Sequence, residues 1–145
     1  MTPNSKTRIM LFGTFDVLHR GHLNFFKQAR ALSKNPYLIV SVARDKNVSR
    51  IKGHRPSISE RRRLDAVKKI LLIDKAVLGG LNSHLPHIIK QHPDIIALGF
   101  DQKNYVNNLQ SDLKKRGLIV KIFRLKPYKR HIYKSSIIKM LKNKP

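Results

Sequence analysis

The residues able to do chemistry crowd into one short segment. "GTFDVLHRGH", Gly13 to His22, holds two histidines three residues apart around a glycine. It follows the apolar run Ile9 to Phe12 and precedes a stretch in which Leu23, Phe25, Phe26 and Ala29 keep helical spacing. The histidines therefore fall at a strand-to-helix junction. The first turn of a helix carries unpaired backbone N–H groups at the positive end of the helix dipole, so a phosphate is the natural occupant there. Gly13 and Gly21 let the backbone approach a bulky anion, Thr14 adds a hydroxyl and Phe15 an amide. His19 and His22 can donate hydrogen bonds to phosphate oxygens, and such donors gain strength as charge builds on a five-coordinate phosphorus during displacement. A helix cap or a satisfied core position is the plainer account of a lone histidine; the whole pattern after a strand favours the phosphate site.

Those residues need a scaffold, and the rest of the chain supplies its rhythm. Apolar runs at 8–12, 37–43, 73–78, 94–98 and 118–123 alternate with helical patterns at 21–32, 59–70, 86–91, 106–116 and 135–141. This predicts an α/β fold: a single doubly wound, Rossmann-like domain over residues 1–145, with a five-stranded parallel sheet and helices on both faces. Asn35-Pro36, Gly79-Gly80, His92-Pro93 and Gly117 punctuate the elements as turns. The polar stretch 44–56, "RDKNVSRIKGHRP", reads as the one long irregular connection. In such a sheet the ligand crevice lies beyond the carboxyl ends of the strands. Polar residues do gather there: Thr14, Asp16, His19 and His22 after the first strand, Arg44 and Asp45 after the second, Asp101 and Gln102 after the fourth, and 128–136 after the fifth.

Composition narrows the chemistry. A chain of 145 residues suffices for one domain that buries roughly 70% of its unfolded surface. With no cysteine there is no disulfide framework, thiolate metal site or cysteine nucleophile. Apolar runs such as 70–73 fall far short of the ~20 residues that span a bilayer, and "MTPNSKTR" lacks the apolar core of a secretory signal. A cytoplasmic location without a membrane partner is expected. The 31 Lys and Arg against 8 Asp and Glu give a formal charge of +23, which favours phosphorylated ligands and attracts nucleic acid nonspecifically. The basic residues are spread from Lys6 to Lys144 without a dominant block, so a solvated surface accounts for many of them equally well.

Gly13-Thr14-Phe15-Asp16 followed by His19-Arg20-Gly21-His22 resembles the signature of the cytidylyltransferase-like nucleotidyltransferases. That resemblance implies an acceptor, usually a phosphate, displacing pyrophosphate from a nucleoside triphosphate. His19 and His22 would be the catalytic contacts, and Thr14, Phe15, Arg20 and Gly21 would surround the nucleotide. "VARDKNVSRIKGHRPSISERRRLDAV" resembles the family's second-strand segment, and "PDIIALGFDQ" its fourth-strand signature, which places Asp101 at the ribose or base. The tryptophan and the Arg-Thr-x-Gly-Ile-Ser-Thr-Thr segment of the glycerol-phosphate branch are replaced by Asp101-Gln102 and "YKRHIYKSSIIKML". This pairing is similar to the archaeal FAD synthase branch. It implies ATP and FMN as substrates, Tyr128 lining the ATP site, and Ser135 and Ser136 opening the last helix against phosphates.

Lys52, in the long connection, is a candidate to close over the triphosphate, with a solvated loop lysine as the equal alternative. Arg63 becomes a phosphate contact by family position, whereas Arg61 and Arg62 read as a solvated face. Because the acceptor's phosphate oxygen is already a nucleophile, no general base is needed. A divalent cation, Mg2+, would bind through triphosphate oxygens and water with Asp16 as its protein partner. His84, His87 and His92 read as surface histidines rather than a zinc site. The family's habits admit a homodimer. Two other readings stand beside this one: CTP-dependent transfer to glycerol 3-phosphate or another small phosphate, and a basic nucleic-acid-binding module without catalysis. The intact His-x-Gly-His motif speaks against the second.

Overall fold

Strands with Ile, Val and Leu at successive positions have no polar face, so each must be covered on both sides. The computed structural model describes residues 5–81, 83–100, 102 and 108–127. It meets the requirement with β1 (Thr7–Gly13), β2 (Pro36–Val42), β3 (Lys75–Leu78), β4 (Ile95–Leu98) and β5 (Lys121–Arg124), all parallel, in the order β3-β2-β1-β4-β5. Between them run α1 (Arg20–Arg30), α2 (Asp45–Lys52), α3 (Glu60–Lys68), α4 (His84–Gln91) and α5 (Leu109–Lys115). The strand period of two divides the core. Ile9, Leu11, Leu38 and Val40 pack with Phe26 and Ala29 of α1 and Leu64 and Val67 of α3. Met10, Ile39 and Ile96 face the other way, onto Ile88 of α4 and Leu109 and Leu113 of α5. The pairings Ile9↔Leu38 and Met10↔Ile39 keep both sets in register. The expected doubly wound sheet is therefore present.

From β1 the sheet grows outward in both directions, β2 and β3 on one side, β4 and β5 on the other. A crevice opens where the winding reverses, at the carboxyl ends of β1 and β4. Gln102 pins those ends together: its amide donates to the Phe12 carbonyl at 2.7 Å and accepts from the Gly99 N–H at 2.8 Å. The outermost strands, β3 and β5, are four residues each, and both begin with an exposed lysine, Lys75 and Lys121.

Three of the expected elements differ from those observed. Stretch 44–56 is not an irregular connection, because α2 occupies Asp45–Lys52 inside it. Asp45 lies in its first turn, Arg50 and Lys52 in its last, matching the helix dipole, and Gly53 stops it at φ 82, a conformation open to glycine. The fifth strand also starts later than residue 118, since Leu118 and Val120 are buried in the turn that leads to it. The third starts at Lys75, after Asp74 has used its carboxylate to accept the Leu38 N–H at 2.7 Å. The helix expected at 135–141 and the first residues of that expected at 106–116 lie outside the described residues. Among those described, no helix is long and apolar enough to cross a membrane.

Phe26 is fully buried where α1 meets the sheet. Phe26→Ala should lower the unfolding free energy by about 3–5 kcal/mol, read as a lower urea midpoint at unchanged slope.

Candidate active site

The start of α1 is built from its two histidines. His19 is the N-cap, extended at φ −144; its Nδ1 accepts the Gly21 N–H at 3.0 Å, while the His19 N–H donates to His22 Nδ1 at 3.2 Å. This is a capping box in which imidazoles replace the usual hydroxyl and carboxyl side chains. A neutral ring that accepts at Nδ1 carries its proton at Nε2. The capping reading and the phosphate reading therefore do not compete: one uses Nδ1, the other Nε2. The rings stack with centroids 3.9 Å apart at 26°. Burial, and secondarily the nearby charge of His19, pulls the His22 pKa down to about 4. At neutral pH His22 is an uncharged donor.

Beneath them, the turn out of β1 is shaped by Phe15. Its backbone has φ 53, in the left-handed region, and its ring is buried beneath Gly13, 5.6 Å from Phe26 and edge-on to His22 at 5.3 Å. A Cβ on Gly13 would stand 2.5 Å from the Phe15 ring, so only glycine fits there. Asp16 accepts the Ser57 and Ile58 N–H groups, each at 2.8 Å. Its carboxyl is held below its ordinary pKa first by the Ser57 amide, against the opposing cost of burial, with Ile58 and Arg63 adding to the lowering.

A cavity of about 1230 Å³ lies over the carboxyl ends of the strands, and Thr14, Phe15, His19, Gly21 and His22 line it together. Among the described lining residues, Arg44, Arg50, Lys52 and Lys126 bring positive charge, while Asp16 is the sole carboxylate. Lys52 ends α2 and so reaches the cavity from a helix. Lys126 is held by Gln28, whose side chain accepts its N–H at 2.9 Å and donates to its carbonyl at 3.0 Å. Arg44 donates to the Gly79 carbonyl at 2.9 Å and to Glu60 at 3.2 Å, tying β3's exit to the start of α2. Such a site suits a polyanion.

Arg63 departs from its expected role. It does not face the cavity as a phosphate contact but is fully buried, its guanidinium donating to the carbonyls of Ile58 and Thr14 and to Asp45. Arg61 and Arg62 are exposed, as expected. Arg20 is the first residue of α1 and is absent from the described lining. Asp101, Tyr128, Ser135 and Ser136 lie outside the described residues. His87 is half-buried and turned to the cavity wall rather than a plain surface histidine: its Nε2 lies 2.8 Å from Oγ of buried Ser41, and burial, then Arg44, Lys90 and His84, lowers its pKa. A serine inside the apolar run of β2 was the available sequence signal for this pair. Gln28 and Arg124, which donates to the carbonyls of Gly99, Phe100 and Gln102, are further positioning groups that residue type alone does not reveal, while Gln102, expected at the fourth strand end, serves there as a tie between β1 and β4. No group of three or more His, Cys, Asp or Glu able to hold a metal ion occurs among the described residues.

A reversed parallel sheet that presents a histidine-capped helix start to a cationic crevice defines a nucleotidyltransferase-type α/β domain. The chain belongs to the cytidylyltransferase-like family, whose model matches residues 10–141. It is 41% identical over 143 residues to a FAD synthase of Thermococcus sibiricus, covering 98% of this chain and 93% of that protein. With a FAD synthase of Methanosarcina barkeri it shares 44% identity over 119 residues, 82% of this chain and 83% of the other. A crystal structure described as the lipopolysaccharide core biosynthesis protein from Thermoplasma volcanium superposes with a TM-score of 0.78 at 38% identity, covering 86% of this chain and 99% of that one.

Ring NMR should place the His22 titration midpoint near pH 4, against an ordinary value of 6.5. Above 6.5 the folded and unfolded chains both keep this ring neutral; between 6.5 and about 4 the unfolded chain takes a proton that the folded one refuses. Stability should therefore fall as pH drops through that window, and His22→Asn should flatten the fall in urea unfolding compared at pH 7 and pH 5. A midpoint at or above the ordinary value contradicts the assignment.

Proposed function

We propose that this protein is an FMN adenylyltransferase, moving AMP from ATP to the phosphate of FMN with release of pyrophosphate. The observation that carries the reading is the pair of Nδ1-anchored imidazoles at the head of α1, facing a cationic crevice, in a chain that matches named FAD synthases along nearly its whole length. The acceptor's terminal phosphate oxygen forms a bond to the α-phosphorus of ATP as the bond from that phosphorus to the bridging oxygen breaks, and pyrophosphate takes the electron pair. A phosphate monoester is largely dianionic at neutral pH, with its second pKa near ~6, so no base has to remove a proton. The protein's work is positioning and charge stabilisation.

In this scheme Gly21, lacking a side chain, lets the phosphates close on the head of α1, where His19 already takes the Gly21 and His22 amides, and Nε2–H of His19 and His22 donates to oxygens that gain charge in the transition state. An uncharged donor such as His22 suits this task, because it stabilises developing charge without trapping the product as a tight ion pair. Thr14 and the Phe15 amide support the same phosphates, and Lys52, Arg50 and Lys126 offset the charge of the triphosphate. A divalent cation fits this site through the nucleotide more than through the protein, since Asp16, the cavity's carboxylate among the described residues, already accepts two backbone amides. When bound, it would neutralise triphosphate oxygens and orient them, with Asp16 as the protein group able to hold it or its water. Asp101 and Tyr128 at the adenosine, and Ser135 and Ser136 at the phosphates, complete the reading on the strength of the sequence resemblance.

Pyrophosphate release in a matrix of ATP or CTP against FMN, glycerol 3-phosphate and other small phosphates tests the assignment, with ATP and FMN expected to give the highest kcat/KM. Preference for CTP with glycerol 3-phosphate would replace it, and background rates throughout alongside tight nucleic-acid binding would remove catalysis. His19→Ala and His22→Ala should each lower turnover at saturating substrate by on the order of 10²-fold or more. Near-normal turnover in both would refute the mechanism.

A further inference from the structure

Arg63 is the only charged side chain buried outright among the described residues. Taking a guanidinium out of water costs several kcal/mol unless its donors are met, so it needs partners of good geometry. It has them at 2.9 Å on the Ile58 carbonyl, 2.7 Å on the Thr14 carbonyl and 2.7 Å on Asp45 Oδ1. Asp45 is fixed in turn. Its Oδ2 accepts the Glu60 N–H at 3.2 Å, and Glu60 Oε1 accepts the Asp45 N–H at 2.9 Å, so the first residues of α2 and α3 hold each other.

The contact with Thr14 has a directional consequence. No peptide among the described residues is cis, and in a trans peptide the carbonyl and the following N–H point to opposite sides. A Thr14 carbonyl drawn toward Arg63 therefore turns the Phe15 N–H away from Arg63. Thr14 and Phe15 both line the cavity, and Arg63 does not. Phe15 also holds φ 53, a conformation that a bulky L residue keeps only where its surroundings enforce it. Its ring is clamped under Gly13 on one side, and the peptide preceding it is clamped by Arg63 on the other.

We propose that Arg63 is a positioning residue for the transfer reaction: by gripping the Thr14 carbonyl it aims the Phe15 amide into the cavity as a phosphate donor, and through Asp45 it couples that amide to α2, which carries Lys52. The proposal rests on the nucleotidyltransferase reading of the site but not on the identity of the acceptor.

Three variants and one probe test it. In the wild-type protein, inorganic pyrophosphate should shift the Phe15 amide resonance in an 15N–1H spectrum. In Arg63→Lys, which keeps the charge but cannot reach all three acceptors, that shift should shrink and kcat should fall by roughly 10- to 100-fold, the KM for ATP changing much less. Asp45→Asn preserves shape while loosening the guanidinium, and should lose less in the same direction. Replacing Phe15 by its α-hydroxy acid removes that N–H and also weakens the Thr14 carbonyl as an acceptor, so it strikes both ends of the proposed contact; it should lower kcat about 10-fold or more alone, with little further loss when combined with Asp45→Asn. If Arg63→Lys does not fold, the Asp45 and Phe15 arms decide. Wild-type kcat in folded Arg63→Lys, wild-type kcat in the Phe15 ester, or an amide unmoved by pyrophosphate would overturn the proposal. A wild-type protein that binds pyrophosphate through this amide yet ignores FMN would sink only the acceptor assignment.

Discussion

A helix that begins inside a protein brings backbone donors that its own turns cannot satisfy, and in this fold that shortage is placed where β1 hands over to α1. The chain meets it with imidazoles. Serine and glutamate at these two positions would cap the helix as well but would leave hydroxyl and carboxylate groups facing the crevice. A carboxylate there would repel phosphate. Imidazole is the side chain whose neutral form accepts at one ring nitrogen and donates at the other, so a single pair of residues closes the helix and leaves donor groups beyond it. Burial keeps His22 in the uncharged form this requires, and the ring of Phe15 packed edge-on against it supplies part of that burial.

The few acids of this basic chain accept backbone N–H groups as the two histidines do, but a carboxylate keeps no donor for the crevice. Asp16, Asp45, Glu60, Asp74 and Asp94 each accept a backbone N–H, from Ser57 and Ile58, Glu60, Asp45, Leu38 and Arg8 respectively. They act as ties between loops and strand starts. Several cations likewise end on carbonyls: Arg8 on Gln91, Arg44 on Gly79, Arg63 on Thr14 and Arg124 on Gly99. A chain with 31 basic and 8 acidic residues cannot pair its charges one to one. For Arg44, Arg63 and Arg124 those carbonyls lie just past the carboxyl ends of β3, β1 and β4, which stiffens the rim of the crevice, whereas Arg8 ties the opposite end of the sheet.

How much of this was readable from the residues depended on whether the signal was periodic or relational. The sheet was legible because apolar runs and helical patterns alternate along the chain, whereas the order β3-β2-β1-β4-β5 is set by pairing between distant segments. The histidine pair was legible because its types and spacing sit at a strand end. Helix α2 was missed: Val48 is the only buried residue on its short apolar side, and the polar run hid the Asp45 start and Gly53 stop. Arg63 was misassigned because one letter cannot say whether a guanidinium faces a ligand or a loop carbonyl, and the deciding partners, Thr14 and Asp45, are 49 and 18 residues away. The Ser41–His87 contact joins a strand to a helix 46 residues later and leaves no periodic trace.

The short outer strands of the sheet bear on whether copies of this chain add to one another edge to edge. An unpaired strand edge is a template on which another chain can add itself. Here each rim offers four residues of ladder, and the first of them carries an exposed ammonium group, on Lys75 at one side and Lys121 at the other. A foreign strand laid along either rim would have to strip water from that lysine while gaining only a few hydrogen bonds. Among the described residues the sheet thus ends in two short, lysine-marked margins that discourage fibril-like growth, leaving Phe123, 41% exposed on β5, tolerable on a surface that would otherwise invite clumping.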